Sequence, residues 1–88
     1  MLITKEVIRD QLLAYLNQRI TLEQLVDWAE NALCDGELET NDIELLSDIL
    51  ARLGLADVHE FGLSWEEYSA FLARLGYQLQ VEAIPIAA

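Results

Sequence analysis

Apolar residues recur at helical spacing over four stretches of this chain. In residues 4–19, Val7, Ile8, Leu12, Tyr15 and Leu16 fall on one side of a helix, and Thr4 can cap its free backbone amides. In residues 22–33 the stripe is Leu22, Leu25, Val26, Ala29, Ala32 and Leu33, with Trp28 at its margin. Residues 42–53 repeat the pattern with Ile43, Leu46, Ile49, Leu50 and Leu53. Residues 65–75 do so with Trp65, Tyr68, Phe71, Leu72 and Leu75. Three of these stretches open on a capping-box pair: Thr21 with Gln24, Asn41 with Glu44, and Ser64 with Glu67. Gly36, Gly54 and Gly76 follow them as stop signals. Local signals that agree in this way mark a sequence able to fold.

The end of the chain follows another period. Tyr77, Leu79, Val81 and Ala83 alternate with Gln78, Gln80 and Glu82, and the apolar run Ile84-Pro85-Ile86-Ala87-Ala88 follows. Alternation of this kind predicts an extended segment over residues 77–86. A lone strand needs a partner for its backbone groups. The segment could lie on the helices, pair with the extreme N-terminus or another protein, or pair across a homodimer through Tyr77, Leu79, Val81 and Ile84. The expected architecture is therefore all-α: one domain over residues 1–88, a compact four-helix bundle with a short C-terminal extended or β segment.

Composition supports folding. Hydrophobic residues make up 53% of the chain and the mean hydropathy is +0.21, which excludes a disordered acidic tail. At 88 residues, net stability should be about 5–10 kcal/mol at best. Cys34 is the single cysteine, so no internal disulfide can form, and a reducing, cytoplasmic setting is expected. The first residues show no basic segment followed by a long apolar one, and no run is long enough to span a bilayer.

Catalytic chemistry finds little support. His59 is the only histidine, and neither it nor Cys34 sits in a recognisable nucleophile motif. The glycines at 36, 54, 62 and 76 are isolated, which excludes a phosphate-binding loop. Residues 35–42 look faintly like half of a calcium loop. In that register Leu33 would be a ligand, and leucine cannot bind calcium. The expectation is a non-enzymatic protein with no metal and no cofactor.

Charge changes the picture most. The net charge is −11, and Lys5, Arg9, Arg19, Arg52 and Arg74 are the only basic side chains. None lies between Arg19 and Arg52, where nine acids fall: Glu23, Asp27, Glu30, Asp35, Glu37, Glu39, Asp42, Glu44 and Asp48. One uninterrupted negative surface across the second and third helices is expected. Such a surface can serve solubility, or it can steer a basic partner. Nucleic acid and anionic membrane would be repelled; the basic groove of a nucleic-acid-binding protein would be attracted. The partner-binding residues expected are Glu23, Asp27, Glu30, Asp35, Glu37, Glu39, Asp42 and Glu44. Trp28 is the aromatic anchor if it projects outward, and an edge residue of the core if it does not.

Residues 12–29 read Leu-Leu-Ala-Tyr-Leu-Asn-Gln-Arg-Ile-Thr-Leu-Glu-Gln-Leu-Val-Asp-Trp-Ala. This segment resembles the opening helical hairpin of small acidic bacterial immunity proteins of the colicin D type. In those proteins an aliphatic helix is followed by a short turn, Ile-Thr, and a second helix with an acidic residue near its start. Ile20, Thr21 and Glu23 carry the likeness here. The resemblance implies a cytoplasmic inhibitor that blocks the basic active cleft of a ribonuclease toxin.

Overall fold

A computed structural model describes residues 2–56, 64–80, 83, 85 and 86. The described chain is mostly helical, with four α-helices and one small two-stranded sheet.

The first helix, α1, spans Lys5–Leu16. Thr4 caps it, its hydroxyl accepting from the Val7 amide at 3.2 Å. Ile8 and Leu12, one turn apart, are its fully buried residues. The helix ends three residues before the expected Arg19. The Gln18 amide donates to the Tyr15 carbonyl, the Arg19 amide reaches back to the Ala14 carbonyl, and Gln18 adopts φ 63°. That is a Schellman closure with glutamine in the left-handed position usually held by glycine.

The second helix, α2, spans Leu22–Asp35 and opens with the expected box. Gln24 N–H donates to the Thr21 hydroxyl at 3.1 Å, and Thr21 N–H donates to the Gln24 side chain at 2.8 Å. Leu25, Val26, Ala29 and Ala32 are buried; Leu33, expected in the buried stripe, is 42% exposed. It follows Ala32 by one residue, which turns it about 100° around the helix from that buried position.

Gly36 does not close α2 by the left-handed route. Its backbone is extended, and the reason for glycine is proximity. A Cβ there would lie 2.5 Å from the Ala32 carbonyl oxygen and 2.9 Å from Ile3 Cγ1. Strand β1, Leu2–Ile3, approaches the end of α2 at this point and pairs in parallel with β2, Glu37–Leu38. The Glu39 amide donates to the Ile3 carbonyl at 3.0 Å. The parallel sense follows from the α1–α2 crossover between the two strands. Neither strand was expected, because two residues are too few to show a period.

A 3-10 turn at Thr40–Asp42 leads into α3, Ile43–Leu53. The expected Asn41–Glu44 box is absent. The turn moves the cap position to Asp42, whose side chain makes no capping bond and lies 3.5 Å from the Lys5 ammonium instead. Leu46, Ile49, Leu50 and Leu53 are buried, while Ile43, also expected inside, is 51% exposed on the first turn.

The last helix, α4, spans Trp65–Arg74 and opens with the expected Ser64–Glu67 box. Tyr68, Phe71 and Leu72 are buried, and Leu75 just beyond the helix is 2% exposed. Trp65 was expected in the core and is 52% exposed, because the first helical position faces outward here. Gly76, at φ 94°, closes α4 in the Schellman manner, with the Tyr77 amide donating to the Leu72 carbonyl.

Residues 77–80 form no strand. Tyr77 and Leu79 are partly buried against this chain's own core. Arg9 anchors the segment to α1: Nη1 donates to the Tyr77 hydroxyl at 2.9 Å, and the guanidinium carbon lies 4.9 Å from the ring centre. Val81 and Ile84, also expected at a dimer seam, lie outside the described residues, as does His59.

One apolar cluster joins these elements. Ile3 meets Ile8 and Leu12 of α1, Leu25 and Ala29 of α2, Leu46 through Leu53 on the inner side of α3, and the inner side of α4. No polar or charged side chain is buried among the described residues. No described helix is long and apolar enough to cross a membrane.

Candidate functional site

Helical geometry places Glu23, Asp27 and Glu30 in one row on α2, since side chains three and four apart share a face. All three are exposed. Asp35 is exposed on the last turn of α2, Glu37 is exposed on β2, Glu39 follows it half-buried, and Glu44 is exposed on the first turn of α3. Glu37 and Glu39 bracket Leu38, so both leave the sheet on the side opposite to it. Every acid expected at the partner surface is therefore at least partly open to solvent.

The fold brings few cations to these acids. Lys5 meets Asp42 at 3.5 Å, Arg9 meets Asp10 at 2.8 Å, Arg52 meets Glu67 at 2.8 Å, and Arg74 meets Asp48 at 3.5 Å. Of the nine acids between Arg19 and Arg52, only Asp42 and Asp48 gain an ion pair among the described residues. Glu23, Asp27, Glu30, Asp35, Glu37, Glu39 and Glu44 have none. Asp42 thus belongs to the face by position but is already neutralised by Lys5.

Asp35 stands against the local field. Unsatisfied carbonyls give a helix C-terminus a partial negative charge, and a carboxylate there costs about 0.3–1 kcal/mol at low salt. No basic residue occupies the last turn of α2 to offset it. Glu23 and Glu44, by contrast, sit in first turns, where the helix field favours them.

Beside Asp35 the surface dips into a cleft of about 210 Å³, lined by Ile3, Trp28, Asn31, Ala32, Asp35 and Gly36. Trp28 is half-buried and packs on the core, and its remaining surface forms part of this cleft. Trp28 therefore edges the core, one of the two placements expected for it.

A second cavity of about 500 Å³ lies at the turn between α1 and α2, walled by Tyr15, Arg19, Thr21, Gln24, Trp65 and Tyr68 among others. Arg19 is the basic side chain that forms no ion pair among the described residues. Tyr68 is in the core as its place in the α4 stripe predicts, whereas Trp65 of the same stripe opens onto this cavity; its position directly after the Ser64 cap was the available signal. The Tyr15 and Tyr68 ring centres are 5.6 Å apart. Burial, followed by the neighbouring Tyr15 hydroxyl, raises the Tyr68 pKa well above its ordinary value.

Cys34 is exposed on α2 and lines neither cavity. Among the described residues no three His, Cys, Asp or Glu side chains converge to hold a metal. Compared with protein-family models, curated proteins and solved structures, the chain matches none.

Proposed function

We propose that this chain is a non-enzymatic binding protein whose acidic face engages a basic protein and inhibits or regulates it. The observation that carries this reading is the uncompensated charge of the α2–β2–α3 face. Among the described residues, seven carboxylates there lack ion pairs; Lys5 and Arg74 meet only Asp42 and Asp48 of this stretch, and Arg9 and Arg52 pair outside it. Self-repulsion of this kind costs compact-state stability, and a field of one sign raises the encounter rate with a partner of the other. Asp35 adds a local conflict, and conflicts with local rules concentrate at functional sites. The likeness of residues 12–29 to immunity proteins makes a nuclease toxin the first partner to test. The four helices then act as a bundle that holds the face rigid.

The test is capture from the native host at low salt. The control carries Lys at Asp35, Glu37, Glu39 and Glu44, sparing Asp42 because it pairs with Lys5. The expected result is a basic nuclease held by the native chain, released by salt, inhibited in cleavage assays, and ignored by the control. Binding that is indifferent to salt and to the four reversals overturns the reading.

A second reading, a homodimeric module joined through the tail, draws on Ile86, which is 95% exposed. Removing residues 81–88 tests it while leaving Tyr77 and Leu79 on the core. Dimers before the deletion and monomers after it would support a tail seam.

A further inference from the structure

We propose that the Trp28 cleft receives one arginine side chain of the basic partner, a refinement that rests on the binding function above. On α2, Trp28, Asn31, Ala32 and Asp35 follow the three- and four-residue spacing that gathers side chains on one side of a helix. Ile3 of β1 supplies the facing wall. Gly36 keeps the floor open, because a side chain there would strike the Ala32 carbonyl and Ile3.

The lining divides by chemistry. Trp28, Ile3 and Ala32 are apolar, while Asn31 and Asp35 stand exposed at the rim. Neither rim side chain has a hydrogen-bond or ion-pair partner among the described residues. At about 210 Å³ the cleft is smaller than the roughly 300–1,000 Å³ of small-molecule sites, and it suits a single side chain.

Charge selects which one. An anion would meet Asp35 and nearby Glu37. A purely aliphatic or aromatic side chain would cover the rim and leave polar groups without partners, at a desolvation cost. A cationic side chain with a long aliphatic stem meets both demands: the stem lies on Ile3 and Ala32 and the head meets Asp35 and Asn31. Arginine fits better than lysine, because its planar guanidinium can stack on an indole and also pair with a carboxylate.

The test uses the full chain with Trp65→Phe, so that Trp28 is the sole indole. Hexa-arginine and hexa-lysine are titrated at low salt, followed by calorimetry and by the indole fluorescence and Nε1–H resonance of Trp28. The expected result is a Trp28 signal that moves with hexa-arginine more than with hexa-lysine. Asp35→Asn should weaken hexa-arginine binding about tenfold, well beyond Glu23→Gln, which removes the same charge elsewhere on the face. Binding that leaves Trp28 unmoved, with both substitutions equal in effect, overturns the cleft assignment and leaves the acidic-face function standing. Equal responses to the two peptides overturn the choice of arginine. No binding of either peptide overturns the cleft and the acidic face together.

Discussion

Helices α2 and α4 begin alike and treat charge oppositely. Each opens with a hydroxyl-capped box, Thr21 with Gln24 in one and Ser64 with Glu67 in the other. In α4, Glu66 and Glu67 occupy the first turn and Arg74 the last, as the helix field prefers. Glu67 meets Arg52 and Arg74 meets Asp48, so this helix resolves part of its charge within the fold. In α2 the charge is acidic from the first turn to the last, and none of it is paired among the described residues. Similar capping therefore does not imply a similar role: α4 pairs part of its charge within the fold, whereas α2 leaves its charge unpaired among the described residues.

The comparison assumes that both helices are seated in the same core, and truncation beneath each is the strongest way to break it. Leu25 of α2 is 0% exposed and Leu72 of α4 is 2% exposed. Leu25→Ala and Leu72→Ala should each destabilise by about 2–5 kcal/mol in urea unfolding. For a chain this small that is a large share of the total. A loss below about 1 kcal/mol at Leu72 alone would mean that α4 is only loosely seated.

The next effect concerns what each helix runs into. Gly36→Ala sets a methyl group against a backbone carbonyl and Ile3, neither of which is the far end of a flexible side chain. It should cost about 1–3 kcal/mol. Gly76→Ala meets nothing within 4 Å and is opposed only by φ 94°, so its cost should be about 1 kcal/mol. Equal losses would remove the distinction between a glycine kept for space and one kept for conformation.

The same distinction shows what the sequence could reveal. Helix locations followed from apolar spacing, and two of the three boxes formed, because both depend on residues a turn apart. The glycines marked the right places, yet among the described glycines only Gly76 acts through a positive φ. The Gly36 requirement is set by the Ala32 carbonyl one turn back and by Ile3, far away in sequence. The two-residue strands were invisible because they are too short to show a period. At the candidate site, the acidic run could be read from the absence of Lys and Arg between positions 19 and 52. The pairing of Asp42 with Lys5 and the cleft beside Trp28 depend on β1 reaching the end of α2, which no local pattern announces.

The caps at the ends of α1 and α4 allow a smaller comparison. Both close in the Schellman manner, but α1 places Gln18 at φ 63° where α4 has glycine. An ordinary residue in the left-handed region costs about 1 kcal/mol. Gln18→Gly should therefore stabilise the chain by about 0.5–1 kcal/mol, read as a rise in melting temperature. No gain would mean that the added freedom of glycine in the unfolded chain cancels the relief.

The smallest effects return to charge and differ in sign. Glu67→Gln keeps a side chain able to complete the capping box but removes the ion pair with Arg52, whose two side chains are both partly exposed. The loss should be about 0.2–1 kcal/mol. Asp35→Asn relieves a carboxylate that opposes the α2 field and should gain about 0.3–1 kcal/mol at low salt. Both differences should shrink as ionic strength rises, because neither charge is buried. Thermal unfolding in about 20 mM and 500 mM salt separates the cases, since the Debye length shortens severalfold between them. If Asp35→Asn instead destabilised the chain, Asp35 would have a partner within the fold. The contrast between a helix that settles its charge internally and one that leaves it for a partner would then fail.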